Sequence, residues 1–349
     1  MIINGVQCHD LLTQKHQPKL SFNPDCDYQT WQAQIKEKFI ELFGIDIIKE
    51  NSCEPQFTIE EREQKDGYEQ IRFSFYGEVG AYVPCYLLVP STLKKGEKAP
   101  VMIVLQGHNQ MGFASSIGRT LCHETLAYDL GNGQFAIQAV KSGYIALAIE
   151  QRGMGERKAH NTFDRRVILG DGTCYYEAMT ALPFGRTLLG ERCHDVSRAI
   201  DMLSNFDCCD LDKIGITGNS GGGTASYYCA CYDERIKLSA PSCAFCDYKG
   251  SILKFYHCSC NYVPSSYRYF DMQDLACLIA PRNLLIFAGE HDTAFLIDGV
   301  KRAYATAQKI FEKAGVKDNC NLVVHDRGHN WMEEIVWREI KKVTDKLGW

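Results

Sequence analysis

The sequence predicts an α/β fold: a mainly parallel central sheet with helices on both faces and an antiparallel N-terminal edge. Three observations carry that expectation. From Pro100 onward, short and continuously apolar runs alternate with helical segments, the pattern of strands buried on both faces. Ahead of them lie three extended segments rich in aromatic and β-branched residues, separated by glycines. Finally, one apolar run ends in Gly218-Asn219-Ser220-Gly221-Gly222 and is followed at once by a helix-compatible segment.

Taken in chain order, Asp27 to Phe43 reads as an amphipathic helix, with Trp31, Ile35, Phe39 and Leu42 at three- and four-residue steps and Gly44 as the stop. The segments Gln56 to Lys65, Tyr68 to Tyr76 and Ala81 to Val89, punctuated by Gly67, Gly77 and Gly80, read as antiparallel strands at one sheet edge. The buried strands follow: Val101 to Leu105, Tyr144 to Ile149, Lys213 to Thr217, Lys237 to Ala240, Asn283 to Ala288 and Asn321 to His325. Helices are expected at Gln134 to Ser142, Leu188 to Asn205, Gly221 to Cys231, Asp298 to Ala314 and Trp331 to Leu347. Strand then helix, repeated, implies right-handed crossovers.

Two connections, Gly107 to Gly133 and Gly153 to about Thr187, are too long for ordinary strand-to-helix loops, and a third, Phe245 to Phe270, is rich in Tyr and Cys. Connections of that length in a compact domain form lids or binding walls. No internal repeat or low-complexity linker interrupts the chain. The expected division is residues 1–95 as a helix and edge-strand extension, and 96–349 as the main domain with long loop insertions.

A chain of 349 residues that is 45% apolar can bury a large core. Its formal charge of −5 is spread over interspersed acids and bases, so the basic stripe that nucleic acid requires is missing. The first residues lack a basic start followed by an apolar run, and no stretch approaches the roughly 18 to 20 apolar residues of a membrane span. A cytoplasmic protein without a membrane partner is expected. Seventeen cysteines, an odd number, then read as reduced thiols used mainly as small core hydrophobes. The pairs Cys229/Cys231, Cys243/Cys246 and Cys258/Cys260 lack the two knuckles, or the spaced His pair, of a structural zinc site, so neither metal nor cofactor is expected.

The chemistry concentrates at Ser220. The glycines around it suit a strained strand-to-helix turn in which side chains at positions 218 and 222 would strike neighbouring backbone, and the turn lifts the hydroxyl above the sheet edge. A serine hydroxyl is a poor nucleophile at neutral pH, so a base must take its proton and a third group must hold that base in the right tautomer. Downstream, one buried strand runs into Gly289-Glu290-His291-Asp292 and another into Gly328-His329. Both end where open α/β sheets place their sites. Asp292 and His329 therefore fit the acid and the base. Glu290 and Asp298 compete for the acid, His325 and His291 for the base; His325 lies within a strand pattern and Asp298 looks like a helix N-cap. A tetrahedral intermediate needs two N–H donors, which Gly221 and the backbone of His108, after the strand Val101 to Leu105, would supply. The sequence leaves the His108 imidazole open between a metal ligand and a surface group.

With these residues in view, the stretch from Pro100 to the C-terminus resembles the α/β-hydrolase superfamily, and within it the dienelactone-hydrolase-like and acetyl xylan esterase branch. Glu150-Gln-Arg-Gly-Met-Gly-Glu156 is similar to that branch's D-x-R-G-x-G element, and Gly289 to Asp292 and Gly328-His329 to its acid and histidine elements. The resemblance implies that Arg152 braces the loops near the site. Three positions depart from the pattern: Gln106 where such esterases often carry histidine, Glu150 where aspartate is common, and Gly221 where the deacetylases carry glutamine.

The expected function is hydrolysis of a small carboxylic ester, an acetylated carbohydrate by the resemblance, through an acyl-enzyme on Ser220. A prolyl-oligopeptidase-like peptidase or amidase is the alternative within enzymes, and a non-catalytic or metal-binding protein the alternative outside them. Some similar esterases assemble through surface loops, which leaves a homo-oligomer open.

Overall fold

In the computed structural model, residues 7–109, 111–119, 133–159 and 172–349 are described. Parts of the connections from Gly107 and Gly153 thus lie outside the described residues. Nine strands are present among those described: β1 (Thr58–Lys65), β2 (Tyr68–Tyr76), β3 (Tyr82–Pro90), β4 (Ala99–Leu105), β5 (Ile145–Ile149), β6 (Cys209–Asn219), β7 (Ile236–Ser242), β8 (Asn283–Gly289) and β9 (Cys320–His325). They form one sheet in the order β1-β2-β3-β5-β4-β6-β7-β8-β9. The first three are antiparallel, β3 pairs β5 antiparallel, and every pairing from β5 to β9 is parallel. Each expected strand is thereby found, with the antiparallel group at one edge.

The continuous apolar runs are explained by two cores. Val101, Ile103 and Leu105 of β4 join one core with Phe39, Phe43 and Ile216. Met102 and Val104, pointing to the other face, join a second with Ala146, Ala148, Phe135, Trp331 and Trp337. Successive side chains alternate between the two faces, so a strand covered on both sides must be apolar at every position.

The helix expected near residue 30 spans Tyr28–Phe43; the Asp27 carboxylate accepts from Thr30 N–H at 2.9 Å, and Gly44 closes it at φ 71°. Its buried stripe is Trp31, Ile35, Phe39 and Phe43, so Phe43 takes the core position expected of Leu42, which is half-buried at the margin. The other expected helices are found as Phe135–Lys141, Leu188–Met202, Gly221–Tyr232, Ile297–Lys313 and Glu333–Lys346. Asp298 corrects the sequence reading: the helix is capped at Leu296 without a side-chain bond, and Asp298 sits inside its first turn, where its charge still faces the positive helix end. Helices at Gln7–Lys15, Ile45–Glu50, Phe113–Ser116 and Gly172–Ala181 were not expected. No helix among the described residues is long and apolar enough to cross a membrane.

Candidate active site

Strand β6 delivers Ser220 to the carboxyl edge of the sheet, and the helix Gly221–Tyr232 leaves from it. The backbone there is strained as the motif requires: Ser220 has φ 54° and ψ −120°, a region that side-chain-bearing residues avoid. Three contacts keep it there. Ser220 N–H donates to Ser242 O on β7 at 2.9 Å, Thr224 N–H to Ser220 O at 2.8 Å, and Ser242 Oγ to Asn219 Oδ1 at 2.9 Å. A methyl group at Gly218 or at Gly222 would run into the carbonyl of Leu105, the last residue of the neighbouring β4. Both glycines are needed because the strand beside the turn approaches that closely.

Asp292 follows β8 and His329 follows β9, one strand further out. Asp292 Oδ2 lies 2.8 Å from His329 Nδ1, and its Oδ1 accepts the amides of Ala294 at 2.8 Å and Phe295 at 3.0 Å. Burial alone would raise this carboxyl; the bond to His329, its charge and the two amides outweigh it and hold Asp292 below its ordinary value. A charged, oriented carboxylate therefore fixes Nδ1, while Nε2 has no hydrogen-bond partner among the described residues. The competitors do not share this arrangement. His325 is buried at the end of β9, where its Nδ1 accepts from Arg327 N–H at 3.3 Å and burial pulls it below the ordinary histidine value.

The structure brings His329 and Asp292 together and sets Ser220 on the same edge, two strands from Asp292 and three from His329. Among the described residues the Ser220 hydroxyl makes no hydrogen bond, to His329 or to any other. Nucleophile and base are often apart in an unliganded site and close on substrate. Gly107 of the opposite loop abuts the serine: a methyl there would meet Asn219 O at 3.0 Å and Ser220 Cβ at 3.5 Å. The backbone N–H groups of His108 and Gly221 donate to no other described residue, which leaves both free for an incoming oxygen.

Sequence reasoning missed the residues that crowd the histidine. Phe295 stacks on the His329 ring with centroids 5.9 Å apart and planes at 10°, and His257 meets Phe295 edge-on at 5.0 Å. Burial first, and then the charge of His329, pull His257 below its ordinary value. Cys243, just past β7, places Sγ within 4.8 Å of the Asp292 and His329 ligand atoms. Burial pushes its thiol up to about 12, so it remains protonated. Phe295 and His257 belong to no spaced motif, and Cys243 is visible in the sequence only as half of the Cys243/Cys246 pair.

Two departures from the family pattern prove to be partners. Gln106 Nε2 donates to Glu150 Oε1 at 3.0 Å, so the two departures at the ends of β4 and β5 are bonded to each other. The third departure, Gly221, makes room for His108: a methyl at 221 would lie 2.5 Å from Cε1 and Nδ1 of that ring. Arg152 donates to Glu78 at 2.8 Å and to both oxygens of Asp195 at 2.8 and 2.9 Å, tying the loop after β5 to the helix Leu188–Met202 and to the turn after β2. It is half-buried and braces these loops as the resemblance implies.

Among the described residues two groups have metal-ligand chemistry: Cys243 with Asp292 and His329, and His108 with Cys174, Cys258 and Cys260. The first consists of the Asp292 and His329 side chains, already bonded to each other, and a protonated thiol.

The prolyl oligopeptidase family model matches residues 184–349. YtaP of Bacillus subtilis (strain 168), described as a hydrolase, is 27% identical over 280 residues, covering 78% of this chain and 85% of its own. A Bacteroides fragilis NCTC 9343 protein described as an acetyl xylan esterase superposes with a TM-score of 0.79 at 17% identity, over 99% of this chain and 95% of that one. Acetyl xylan esterase 1 from Thermoanaerobacterium sp. JW/SL YS485 gives 0.55 at 19% identity over 87% and 92%. A glucuronoyl esterase from Solibacter usitatus gives 0.62 at 14% over 94% and 96%. At such identities these structures establish the fold. The Abhydrolase family model matches residues 3–190, more than half of the chain, and the chain belongs to that family of α/β-hydrolases.

Proposed function

We propose that the protein is a serine carboxylic-ester hydrolase working through an acyl-enzyme. The observation that carries this reading is the charged Asp292 bonded to His329 Nδ1, on the sheet edge where Ser220 occupies a strained turn. His329 Nε2 takes the Ser220 proton as Oγ attacks the ester carbonyl, and Asp292 stabilises the imidazolium so formed. The amides of Gly221 and His108 receive the developing oxyanion. His329 then returns the proton to the leaving alcohol; water, activated by the same imidazole, releases the acid. An acetylated carbohydrate or similar small ester is the substrate class, because proteins of this fold include acetyl xylan and glucuronoyl esterases.

Ser220→Ala should lower p-nitrophenyl acetate turnover by about ten-thousand-fold or more, with the fold intact by circular dichroism. Turnover unchanged in that variant overturns the assignment. The prolyl oligopeptidase match over the half that holds the triad favours a second reading, amide cleavage. Faster turnover of aminoacyl p-nitroanilides than of acyl esters would establish it.

A further inference from the structure

We propose that His108, Cys174, Cys258 and Cys260 bind one zinc ion, which clamps together the three long connections that wall the Ser220 cleft. Each connection supplies a ligand. His108 belongs to the one after β4, Cys174 to the one after β5, and Cys258 and Cys260 to the one after β7. Only Cys258 and Cys260 are neighbours in the sequence, and the three segments meet only in the fold. There, one ligand atom from each residue lies within 4.8 Å of every other, and Cys260 Sγ is 3.2 Å from His108 Nε2.

The donor set selects the ion. Three thiolates and one imidazole are the ligands of a closed tetrahedral zinc site, whose bond lengths near 2.3 Å to sulfur place neighbouring sulfurs about 3.8 Å apart. Ligand atoms within 4.8 Å need only draw in slightly to reach that geometry. An iron–sulfur cluster would need them further apart. Four protein ligands leave no open position, so the ion holds structure and does not activate water. Loading it releases the protons of the three thiols, and neither oxidant nor reductant is consumed.

An independent observation points to an anionic centre at this spot. Arg192 is buried, and among the described residues no carboxylate lies within ion-pair distance of it. Its Nη2 instead donates to Cys174 Sγ at 3.2 Å and its Nε and Nη2 to Arg152 O at 3.1 and 2.6 Å. A buried guanidinium facing neutral thiols is costly. Three thiolates around a dication carry one net negative charge, which Arg192 neutralises. The absence of a side chain at Gly221 fits as well, because the His108 ring lies against that glycine on its way to the cysteines. The ion therefore fixes, through His108, the same loop whose Gly107 abuts Ser220.

The test is metal content. Protein without a histidine tag, purified in reductant without chelator, should carry about one zinc per chain by inductively coupled plasma mass spectrometry. Cys258→Ser/Cys260→Ser should lose it. Because that variant also removes packing, metal-stripped wild-type protein should be titrated with cobalt(II) under reductant. A thiolate-to-cobalt charge-transfer band in the near ultraviolet with tetrahedral d–d bands supports the site. Less than a tenth of an equivalent of zinc with no cobalt–thiolate spectrum overturns it, as does zinc content unchanged in the double variant, or a disulfide among the three cysteines. Stripped wild-type protein should lose about ten- to a hundredfold of its p-nitrophenyl acetate turnover and regain it with zinc; unchanged turnover overturns the clamp. Ser220→Ala must keep its zinc. Its inactivity without zinc in any form would sink this site and spare the hydrolase, and full zinc with full activity would do the reverse.

Discussion

Glu150 and Arg152 stand two positions apart after β5, and the protein buries their charges in opposite ways. Around Arg152 the acids Glu78, Glu191 and Asp195 meet three guanidiniums, those of Arg152, Arg157 and Arg186. Burial would raise Asp195, but Arg152 and Arg157 outweigh it and hold that carboxyl far below the ordinary range. Glu150 is equally buried, and among the described residues its carboxyl accepts only from neutral donors: Gln106 Nε2 at 3.0 Å, and the amides of Phe113 and Glu156, each at 3.1 Å. Burial pushes it up to about 8. At neutral pH one region is ionised and cross-linked and the other holds a proton. The Gln106 carbonyl, buried without a partner among the described residues, can take that proton as a hydrogen bond if its amide is turned over. A buried carboxyl is thus governed by the kind of donor around it rather than by its depth.

The largest expected effect breaks the cross-linked region. Arg152→Met leaves Glu78, Glu191 and Asp195 each with one cation fewer in a buried setting, and should cost about 3 kcal/mol or more in urea unfolding. A loss under about 1 kcal/mol would mean that Arg157 and Arg186 suffice.

Glu150 sharpens the comparison through pH. Its folded-state value lies above its ordinary one, so its proton contributes fully below about pH 4.5. That contribution is lost as pH rises towards 8, with a slope of at most about 1.4 kcal/mol per pH unit. Asp195 and Glu78, both held below the ordinary carboxylate value, act in the opposite sense and contribute above it, with loss as pH falls into the acid range. Wild-type urea midpoints should decline between pH 5 and 8, and Glu150→Gln should flatten that decline. At low pH the same variant should cost about 1 kcal/mol, because its amide cannot accept from Glu156 N–H and Phe113 N–H together with equal geometry. An unaltered slope in the variant refutes the protonated carboxyl.

The smallest effect lies at the surface, in the side chain of Glu156. Arg72 grips Glu156 with bonds of 2.9 and 2.6 Å, but that carboxylate is 46% exposed. Glu156→Gln should shift stability by less than about 1 kcal/mol, and less again in high salt. A larger loss would show that the loop after β5 depends on this surface pair.

What was legible in the sequence follows the same division between local and assembled features. Strands covered on both faces write themselves as unbroken apolar runs, and Gly218 to Gly222 write the strained turn, because both constraints act on neighbouring residues. The helix Gln7–Lys15 buries no residue and so carries no apolar period. Ile45–Glu50, with six residues, is too short to show one. Asp298 was misread because an acid in the first turn and an acid at the cap look alike before the backbone is known. Asp292 and His329 were legible from their places after strands. Cys174, Cys258, Cys260 and Arg192 were not, since their meeting depends on how three loops cross the top of the sheet.

The pairing of β3 with β5, from Cys85 opposite Ile149 to Leu88 opposite Ala146, has a practical corollary. A chain trimmed to start at residue 96 would expose the flank of β5 as a row of unsatisfied amides and carbonyls bordered by Leu147 and Ile149. Such a border recruits strands from other molecules. The shortest fragment expected to remain monodisperse must therefore keep the whole hairpin of β2 and β3.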